Sequence, residues 1–235
     1  MREVQAVLLA GGYGGRLEAL AKDRQKCILP IDGKPAVIHT IENLLNAFGS
    51  VDLKIAVGFK AEQVRETVEK GGFSKLSITY VPHKPGTEGW GIYKDMDSHI
   101  KGPFIGMPGD IIAFPEAYEK VFQLFIDSDA DAAMSLSPDL DVVDTHGIGK
   151  IKGGEVIELE WPPPHMIEES HLRDMTIWAS DRRMFDMIRQ YPSPYKSIGY
   201  VFMKAVRDKR QIAGNYYDNP WVHLGTVTDL NKHFV

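Results

Sequence analysis

Four glycines and an arginine follow an apolar run near the start of the chain, in the sequence VLLAGGYGGRL at 7–17. Glycines let backbone N–H groups approach a phosphate closely, and a guanidinium group binds phosphate oxygens in a bidentate manner. The stretch therefore predicts a phosphate-binding loop directly after a β-strand. The residues concerned are Gly11, Gly12, Gly14, Gly15 and Arg16.

Three kinds of phosphate loop compete for this stretch. A Walker-type loop has Lys and then Ser or Thr after its last glycine, whereas Arg16 and Leu17 stand there. A dinucleotide loop needs the spacing GxGxxG, which Gly12 and Gly14 begin but Leu17 does not complete. Asp32 lies at a suitable distance for ribose hydroxyls, so a dinucleotide site stays open. The third kind is a cradle for a nucleoside triphosphate.

Two further charged residues stand where phosphate chemistry would use them. Lys26 precedes the run CILPI, and Asp110 follows the predicted strand GPFIGMPG. Open α/β sheets build their sites at the ends of parallel strands. Taken singly, Lys26 is more often a solvated surface charge and Asp110 is as often a helix N-cap or turn residue, so neither decides between the three kinds of loop.

Taken together, residues 7–35 resemble the opening of the sugar nucleotidyltransferases, LAGGxGTRLxPLTxxxPKxLLPVxGKP. The sequence WVHLGTVTDL at 221–230 resembles the same family's WxDIGTPEDL, so the resemblance spans most of the chain. It implies transfer of a nucleotidyl group from a nucleoside triphosphate to a sugar 1-phosphate, with release of pyrophosphate. The matching positions of the opening are Leu9, Ala10, Gly11, Gly12, Gly14, Arg16, Leu17, Lys26, the ILPI run and 33–35.

The resemblance also implies roles for individual residues. Arg16 and Lys26 match the catalytic residues, with Lys26 bridging the α-phosphate and the incoming sugar phosphate. Asp110 matches an aspartate that binds a divalent metal. The implied nucleotide-binding residues are Leu9, Ala10, Gly11, Gly12, Gly14, Gly15, Gly86, Thr87 and Gly109. The implied sugar-phosphate-binding residues are Gly147, Glu160 and Asp174, the last near an asparagine of the family.

The chain departs from the family at the second metal ligand, where His223 replaces an aspartate. Mg²⁺ prefers oxygen ligands, whereas Mn²⁺ and Co²⁺ accept an imidazole readily. Three explanations stay open: Mn²⁺ or Co²⁺ bound through His223, Mg²⁺ bound by Asp110 alone, or lost catalysis with binding retained. We favour catalysis, because Arg16, Lys26 and Asp110 are all present. The alternatives are a non-catalytic homologue that binds a nucleotide or nucleotide sugar and, more remotely, an NAD(P)-dependent oxidoreductase.

Two smaller departures concern the nucleotide. Gly15 stands where relatives carry Thr or Ser, and Val81 stands where many carry glutamine ahead of the Gly86-Thr87 pair. The base therefore does not follow from the resemblance.

The elements that must position these residues alternate in the first part of the chain. Short apolar runs alternate with amphipathic segments, which is typical of an α/β protein with a mainly parallel sheet. The predicted strands are 4–10, 53–58, 76–81, 102–110 and 131–137, and the predicted helices are 36–48, 61–70 and 115–127.

The second part is less regular. Residues 147–161 predict an antiparallel hairpin turning at Gly153-Gly154, and WPPPHM at 161–166 predicts a stiff loop. The fold class is therefore a Rossmann-like (GT-A-like) α/β domain with helices on both faces of a mixed sheet and a small antiparallel addition. We expect a single domain over 1–235, with a nucleotide-binding half at 1–135 and a sugar-phosphate-facing half at 136–235.

Bulk composition narrows the partners. A net charge of −5 argues against general binding to nucleic acid or a membrane surface, and no apolar run approaches the ~20 residues of a membrane helix. Cys27 is the single cysteine, which excludes an intrachain disulfide. We expect a cytoplasmic protein that binds a nucleoside triphosphate, a sugar 1-phosphate and Mg²⁺, Mn²⁺ or Co²⁺. A homo-oligomer stays open.

Overall fold

A computed structural model of the chain describes residues 3–12, 17, 23–73, 76–84, 87, 89–140 and 146–225. The chain divides into two compact units. The first comprises Met1–Thr87, Met107–Glu116 and Pro220–Val235, and the second comprises Glu88–Gly106 and Ala117–Asn219. The single domain over 1–235 stays a prediction.

The described residues contain thirteen strands and six α-helices. The strands are β1 (Val4–Ala10), β2 (Pro30–Ile31), β3 (Lys34–Pro35), β4 (Val51–Val57), β5 (Leu76–Pro82), β6 (Phe104–Pro108), β7 (Ile111–Ala113), β8 (Ala132–Ser137), β9 (Ile148–Lys152), β10 (Glu155–Glu160), β11 (Leu172–Ser180), β12 (Ile212–Tyr216) and β13 (Trp221–His223). The helices are α1 (Ala36–Phe48), α2 (Ala61–Lys70), α3 (Gly89–Asp95), α4 (Pro115–Asp127), α5 (Arg182–Gln190) and α6 (Ile198–Arg207).

Three parallel strands form the sheet of the first unit, in the order β5-β4-β1. β1 is apolar except for one glutamine, and Ala6, Val7 and Leu8 are fully buried. A strand buried on both faces reads as a nearly continuous apolar run, which is why β1 could be predicted from sequence. The last residues of the three strands, Ala10, Val57 and Pro82, lie beside one another.

Helix α1 positions a second, two-stranded sheet of the first unit. The helix buries one face that includes Val37, Ile41 and Leu44. From its side, the Thr40 hydroxyl donates to the carbonyl of Ile111 at 3.0 Å, and the Asn43 amide donates to the carbonyl of Ala113 at 2.9 Å. Both carbonyls belong to β7, which pairs antiparallel with β13. The side chains of α1 therefore hold the small sheet in place through the backbone carbonyls of β7.

The second unit contains the strand order β6-β11-β8-β12-β10-β9. β11 runs antiparallel to β6 and β8, while β12 runs parallel to β8. β9 and β10 form an antiparallel hairpin that turns at Gly153 and Gly154, whose φ angles of 61° and 84° suit glycine. The predicted hairpin and its turn are confirmed.

The core of the second unit is built around Trp178 of β11, which is 1% exposed. The rings of Tyr93, Phe104 and Phe202 meet its indole edge to face, with centroids 4.8, 5.3 and 5.6 Å away. Gly106 of the neighbouring β6 leaves room for the indole, because a Cβ there would overlap with its ring. Trp178 therefore packs β11 against β6 and against helices α3 and α6.

The predicted helices 36–48, 61–70 and 115–127 are confirmed with the same bounds. The strand predicted at 102–110 is shorter, because β6 ends at Pro108 and a turn separates it from β7. Six elements were not predicted: α3, α6, β2, β3, β7 and β12. No helix in the described part of the chain is long and apolar enough to cross a membrane.

We expect Trp178→Ala to lower the free energy of unfolding by about 3–5 kcal/mol, because it leaves a large cavity among three rings. Urea unfolding followed by circular dichroism measures the loss. Met166→Ala is the control, since that side chain is 84% exposed and should change stability by less than about 0.5 kcal/mol. A loss below about 1 kcal/mol for Trp178→Ala would contradict the assigned core.

Candidate active site

The start of the glycine loop is held by backbone and side-chain hydrogen bonds. Gly11 and Gly12 directly follow β1. The Gly11 carbonyl accepts the N–H of Phe59 at 3.1 Å, and the Gly12 carbonyl accepts the amide of Gln25 at 3.2 Å. Leu9 and Ala10 lie at the end of β1, whereas the predicted site residues Gly14, Gly15, Arg16 and Gly86 lie outside the described residues.

Gln25 connects the loop to Lys26, and sequence reasoning missed it. The Gln25 side chain is 2% exposed, and its oxygen accepts the N–H of Cys27 at 2.5 Å. Its backbone N–H donates to the side-chain oxygen of Gln63 in α2 at 2.9 Å. Lys26 begins a short 3-10 turn, Lys26–Ile28, that Gln25 caps. The buried side-chain amide of Gln25 therefore holds both the start of the glycine loop and the backbone turn from which the Lys26 side chain extends.

Asp110 lies one residue beyond Gly109, after the end of β6. The Gly109 N–H donates to the carbonyl of Leu9 at 2.8 Å, which places this turn at the end of β1. A Cβ on Gly109 would lie 2.8 Å from a methyl carbon of Leu8, so the close approach needs glycine. The Asp110 side chain is 12% exposed and forms an ion pair with the Lys26 ammonium group.

His223 reaches the same carboxylate from β13. It lies opposite Ile111 in the β7–β13 pair, and the N–H of Leu224 donates to the carbonyl of Asp110 at 2.9 Å. The imidazole Nε2 is 3.6 Å from Asp110 Oδ2, the oxygen that Lys26 also contacts. The structure therefore brings together Lys26, Asp110 and His223, three residues that the sequence assigned to one site.

The electrostatics of this cluster keep Asp110 ionised. Burial alone raises the pKa of its carboxyl, but the Lys26 ammonium and the His223 imidazole outweigh burial and hold that pKa below its ordinary value. The neighbouring Cys27 responds in the opposite direction, because burial and the Asp110 charge raise the pKa of its thiol. Asp110 therefore stays negatively charged beside the Lys26 ammonium group, and the Cys27 thiol stays protonated.

A second cluster joins the three predicted sugar-phosphate residues within the second unit. The Asp174 N–H donates to the carbonyl of Gly147 at 2.8 Å. A Cβ on Gly147 would lie 3.4 Å from the Glu160 carbonyl and 3.6 Å from the Asp174 Cβ. The neighbouring His146 donates from Nδ1 to the Asp174 carbonyl at 2.7 Å. Gly147 and Asp174 are thus linked through their backbones, and Glu160 lies close to Gly147. Gly147 directly precedes β9, Glu160 ends β10, and Asp174 lies near the start of β11.

Asp174 is a buried acid, with 2% of its surface exposed. Burial raises the pKa of its carboxyl to about 7, although the N–H of Thr176 and the charge of Arg173 work against burial. Its oxygen Oδ1 accepts that N–H at 2.7 Å. The carboxyl therefore changes charge near neutral pH.

Of the predicted nucleotide residues beyond the loop, Thr87 donates its N–H to the carbonyl of Lys84 at 3.0 Å.

The profile of the family described as nucleotidyl transferase matches residues 5–234. The chain belongs to this family. The prediction of the family is therefore confirmed.

Curated relatives of this nucleotidyl transferase act with different bases. UTP–glucose-1-phosphate uridylyltransferase of Haloferax volcanii is 30% identical over 171 residues, which cover 70% of this chain and 69% of that protein. D-glycero-alpha-D-manno-heptose 1-phosphate guanylyltransferase of Aneurinibacillus thermoaerophilus is 29% identical over 136 residues, which cover 57% and 58%. The chain therefore spans less than two thirds of the second relative.

Solved structures share the fold over nearly the whole chain. A putative glucose-1-phosphate thymidylyltransferase of Bacillus anthracis superposes with a TM-score of 0.83 at 20% identity and covers 98% of this chain and 93% of its own. The inositol-1-phosphate CTP transferase of T. maritima gives 0.79 at 17% identity, covering 97% and 92%. The Rossmann-like α/β class predicted from the sequence is confirmed.

This family generally depends on a divalent metal ion. In the described part of the chain, no three His, Cys, Asp or Glu side chains group to hold one. Asp110 and His223 supply a carboxylate oxygen and an imidazole nitrogen 3.6 Å apart, a separation that two ligands of one tetrahedral ion can span. The pair fits a metal ion that accepts mixed oxygen and nitrogen ligands and takes its remaining ligands from substrate or water.

We expect the free energy of unfolding to fall as pH rises from about 4 to about 7, because of Asp174. In that range the folded protein keeps a proton that the unfolded chain, with an ordinary carboxyl pKa, has lost, so deprotonation favours unfolding. Asp174→Asn removes this proton and keeps the oxygen that Thr176 needs. Relative to the wild type, the variant should be equally stable at about pH 3 and more stable at pH 8 by roughly 4 kcal/mol at most.

Urea unfolding at several pH values measures this difference. Asp127→Asn, at an exposed position of α4, is the control and should follow the wild type at every pH. If Asp174→Asn gave no gain at pH 8, the buried carboxyl would not be the group responsible.

Proposed function

We propose that the protein transfers a nucleotidyl group from a nucleoside triphosphate to a sugar 1-phosphate and releases pyrophosphate. The carrying observation is the buried cluster of Lys26, Asp110 and His223 at the end of β6, with the start of the glycine loop tied to the same segment through Gln25. Family membership supports this chemistry over a non-catalytic homologue and over a dinucleotide-dependent oxidoreductase.

The reaction needs positioning and charge neutralisation more than covalent chemistry by the protein. An oxygen of the sugar phosphate forms a bond to the α-phosphorus, while the bond from that phosphorus to the bridging oxygen breaks. The electron pair leaves with pyrophosphate. We assign the backbone amides of the loop from Gly11 to Gly15 and the Arg16 guanidinium to the triphosphate. Leu9, Ala10, Gly86, Thr87 and Gly109 complete the proposed nucleotide site.

Lys26 is the group that we assign to the reacting phosphates. Its ammonium is oriented by the Asp110 carboxylate, and the Lys26 side chain as a whole is 21% exposed, so the group is held in place on a side chain that is not fully buried. A fixed cation stabilises charge that develops on the transferring phosphoryl group, because no reorganisation is needed during the reaction.

Gly147, Glu160 and Asp174 are the residues that we assign to the acceptor. Their contact within the second unit supports a shared role, since a sugar needs several converging polar groups. We also propose that both clusters belong to a single domain over 1–235. The two relatives named above carry different bases and sugars in their names, so neither base nor sugar is assigned here.

For the metal, we propose Asp110 and His223 as the protein ligands. A bound divalent ion would neutralise charge on the triphosphate. Because an imidazole nitrogen binds Mn²⁺ and Co²⁺ better than Mg²⁺, this ligand pair favours the transition metals.

Lys26→Ala should lower kcat by about 10²–10³-fold, because the reacting phosphates lose a fixed cation. Pyrophosphate release measures the rate, and circular dichroism checks that the fold is kept. Lys34→Ala is the matched control, since Lys34 forms an exposed ion pair with Glu42 at 2.6 Å and should keep wild-type turnover. Near-native turnover of Lys26→Ala would remove Lys26 from the chemistry.

Metal preference provides an independent test. We expect activity with Mn²⁺ or Co²⁺ at least equal to that with Mg²⁺, and we expect His223→Asp to shift the preference toward Mg²⁺. Co²⁺ bound to the wild type should also show a visible absorption spectrum that changes in the variant. A strict Mg²⁺ requirement of the wild type would exclude His223 as a ligand.

The function itself is tested by a matrix of nucleoside triphosphates, sugar 1-phosphates and the three metals, with pyrophosphate release as the measurement. Turnover with one pair supports the proposal and identifies both substrates. Binding of nucleotides without pyrophosphate release in any combination would show a non-catalytic homologue instead.

A further inference from the structure

Three residues form a row across the carboxyl ends of the parallel strands in the first unit. The last residues of β1, β4 and β5 are paired with one another, and Gly11, Gly58 and His83 are the residues that follow them. The carboxyl ends of parallel strands are where open α/β sheets build their sites. Gly11 also begins the glycine loop, so the row adjoins the proposed triphosphate site.

The imidazole of His83 occupies the space that two missing side chains leave. A Cβ at Gly11 would overlap with the Nε2 and Cε1 atoms of the ring. A Cβ at Gly58 would lie 2.9 Å from Nδ1 and from Nε2, which is also too close. The ring therefore extends from the end of β5 past β4 to the end of β1. Neither glycine can gain a side chain while the ring is there.

His83 is held in this place by its own backbone and ring. Its N–H donates to the carbonyl of Val57 at 2.9 Å. The ring nitrogen Nδ1 lies 3.2 Å from the carbonyl of Lys84 and must donate to it, because a carbonyl oxygen only accepts. The side chain is 9% exposed, so the ring is a buried part of the first unit.

The second ring nitrogen shows that packing alone does not account for a histidine here. Nε2 is buried and has no hydrogen-bond partner among the residues that the structure describes. A covered, unpaired polar atom costs free energy, which an aliphatic side chain of similar size would not do. Histidine supplies something else: a flat ring that can be oriented by its Nδ1 bond and lie against two glycines.

We propose that His83 is a positioning residue for the nucleoside triphosphate and acts through Gly11. The ring fixes the point at which the chain leaves β1, together with the bond from the Phe59 N–H to the Gly11 carbonyl. The first backbone amides of the glycine loop are thereby presented in one arrangement to the phosphates. This inference rests on the proposed function and adds a residue outside the loop that controls nucleotide affinity.

His83→Ala should raise KM for the nucleoside triphosphate by about 10-fold, because the loop loses its fixed start before the phosphates bind. The change in kcat should stay within about threefold, and KM for the sugar 1-phosphate should not change. His39→Ala is the matched control: His39 is a half-buried histidine of the same unit, with Nε2 bonded to the Ile31 carbonyl at 2.8 Å. It should leave both KM values unchanged.

A reciprocal variant tests whether the position of the ring matters. The three atoms that a Cβ at Gly58 would meet most closely all belong to the His83 ring, so Gly58→Ala displaces the ring and should raise KM for the triphosphate. Adding His83→Ala removes this overlap, so the double variant should raise that KM no more than His83→Ala alone does. If His83→Ala fails to fold, His83→Leu retains part of the bulk and should raise the same KM by a smaller factor.

The possible results separate this inference from the proposed function. Three results would overturn the role of His83 while wild-type turnover preserves the function: an unchanged triphosphate KM in His83→Ala, equal increases of both KM values, or a double variant in which the effects of Gly58→Ala and His83→Ala simply multiply. If the wild type releases no pyrophosphate, the rise in melting temperature on adding nucleoside triphosphates is measured instead. A rise that His83→Ala reduces and His39→Ala keeps supports the inference, whereas no rise in the wild type overturns it too.

Discussion

A buried carboxylate stays ionised only where a cation or hydrogen-bond donor stands beside it, and Asp110 meets this requirement from two directions. The Lys26 ammonium comes from the turn after the glycine loop, and the His223 imidazole comes from β13. Each partner is itself fixed by secondary structure: Lys26 by the buried amide of Gln25, and His223 by pairing of β13 with β7. The turn after the glycine loop and the β7–β13 pair therefore both stabilise the ionised carboxylate of Asp110.

The same logic explains why small residues crowd around this end of the sheet. Gly109 lets the Asp110 turn approach β1, and Gly11 and Gly58 let the His83 ring lie across two strands. In each case a missing Cβ allows a polar group to come close to backbone. Glycine thus serves two tasks here, since it exposes amides to phosphate and also admits the side chains that hold those amides still.

Sequence reasoning predicted what local pattern and a long motif can carry. Helix α1 has apolar residues at helical spacing behind Pro35, and β1 is an unbroken apolar run, so both could be bounded from sequence. Helix α6 could not, because its sequence IGYVFMKAVR mixes β-branched and aromatic residues in a manner that also suits a strand. The Ser197 cap, whose hydroxyl accepts the N–H of Gly199, is visible only in the structure.

The site followed the same division. Lys26, Asp110 and His223 were assigned to one site by resemblance, and in the structure both Lys26 and His223 lie against the Asp110 carboxylate. Gln25 and His83 were missed, because their importance depends on which strands lie side by side and in what register. Register is set by tertiary packing, and no pattern within a single segment reports it.

The sheet that brings His223 to Asp110 is small, with three residues in each strand. Such short pairings open more easily than a large buried sheet, through local fluctuations that leave the rest of a protein folded. If β13 separated from β7, Asp110 would keep Lys26 but lose its imidazole neighbour, while β1, β4 and β5 remained paired. Of the two proposed metal ligands, His223 is therefore the one that local opening of the β7–β13 pair would remove, while the ion pair of Asp110 with Lys26 stays in place.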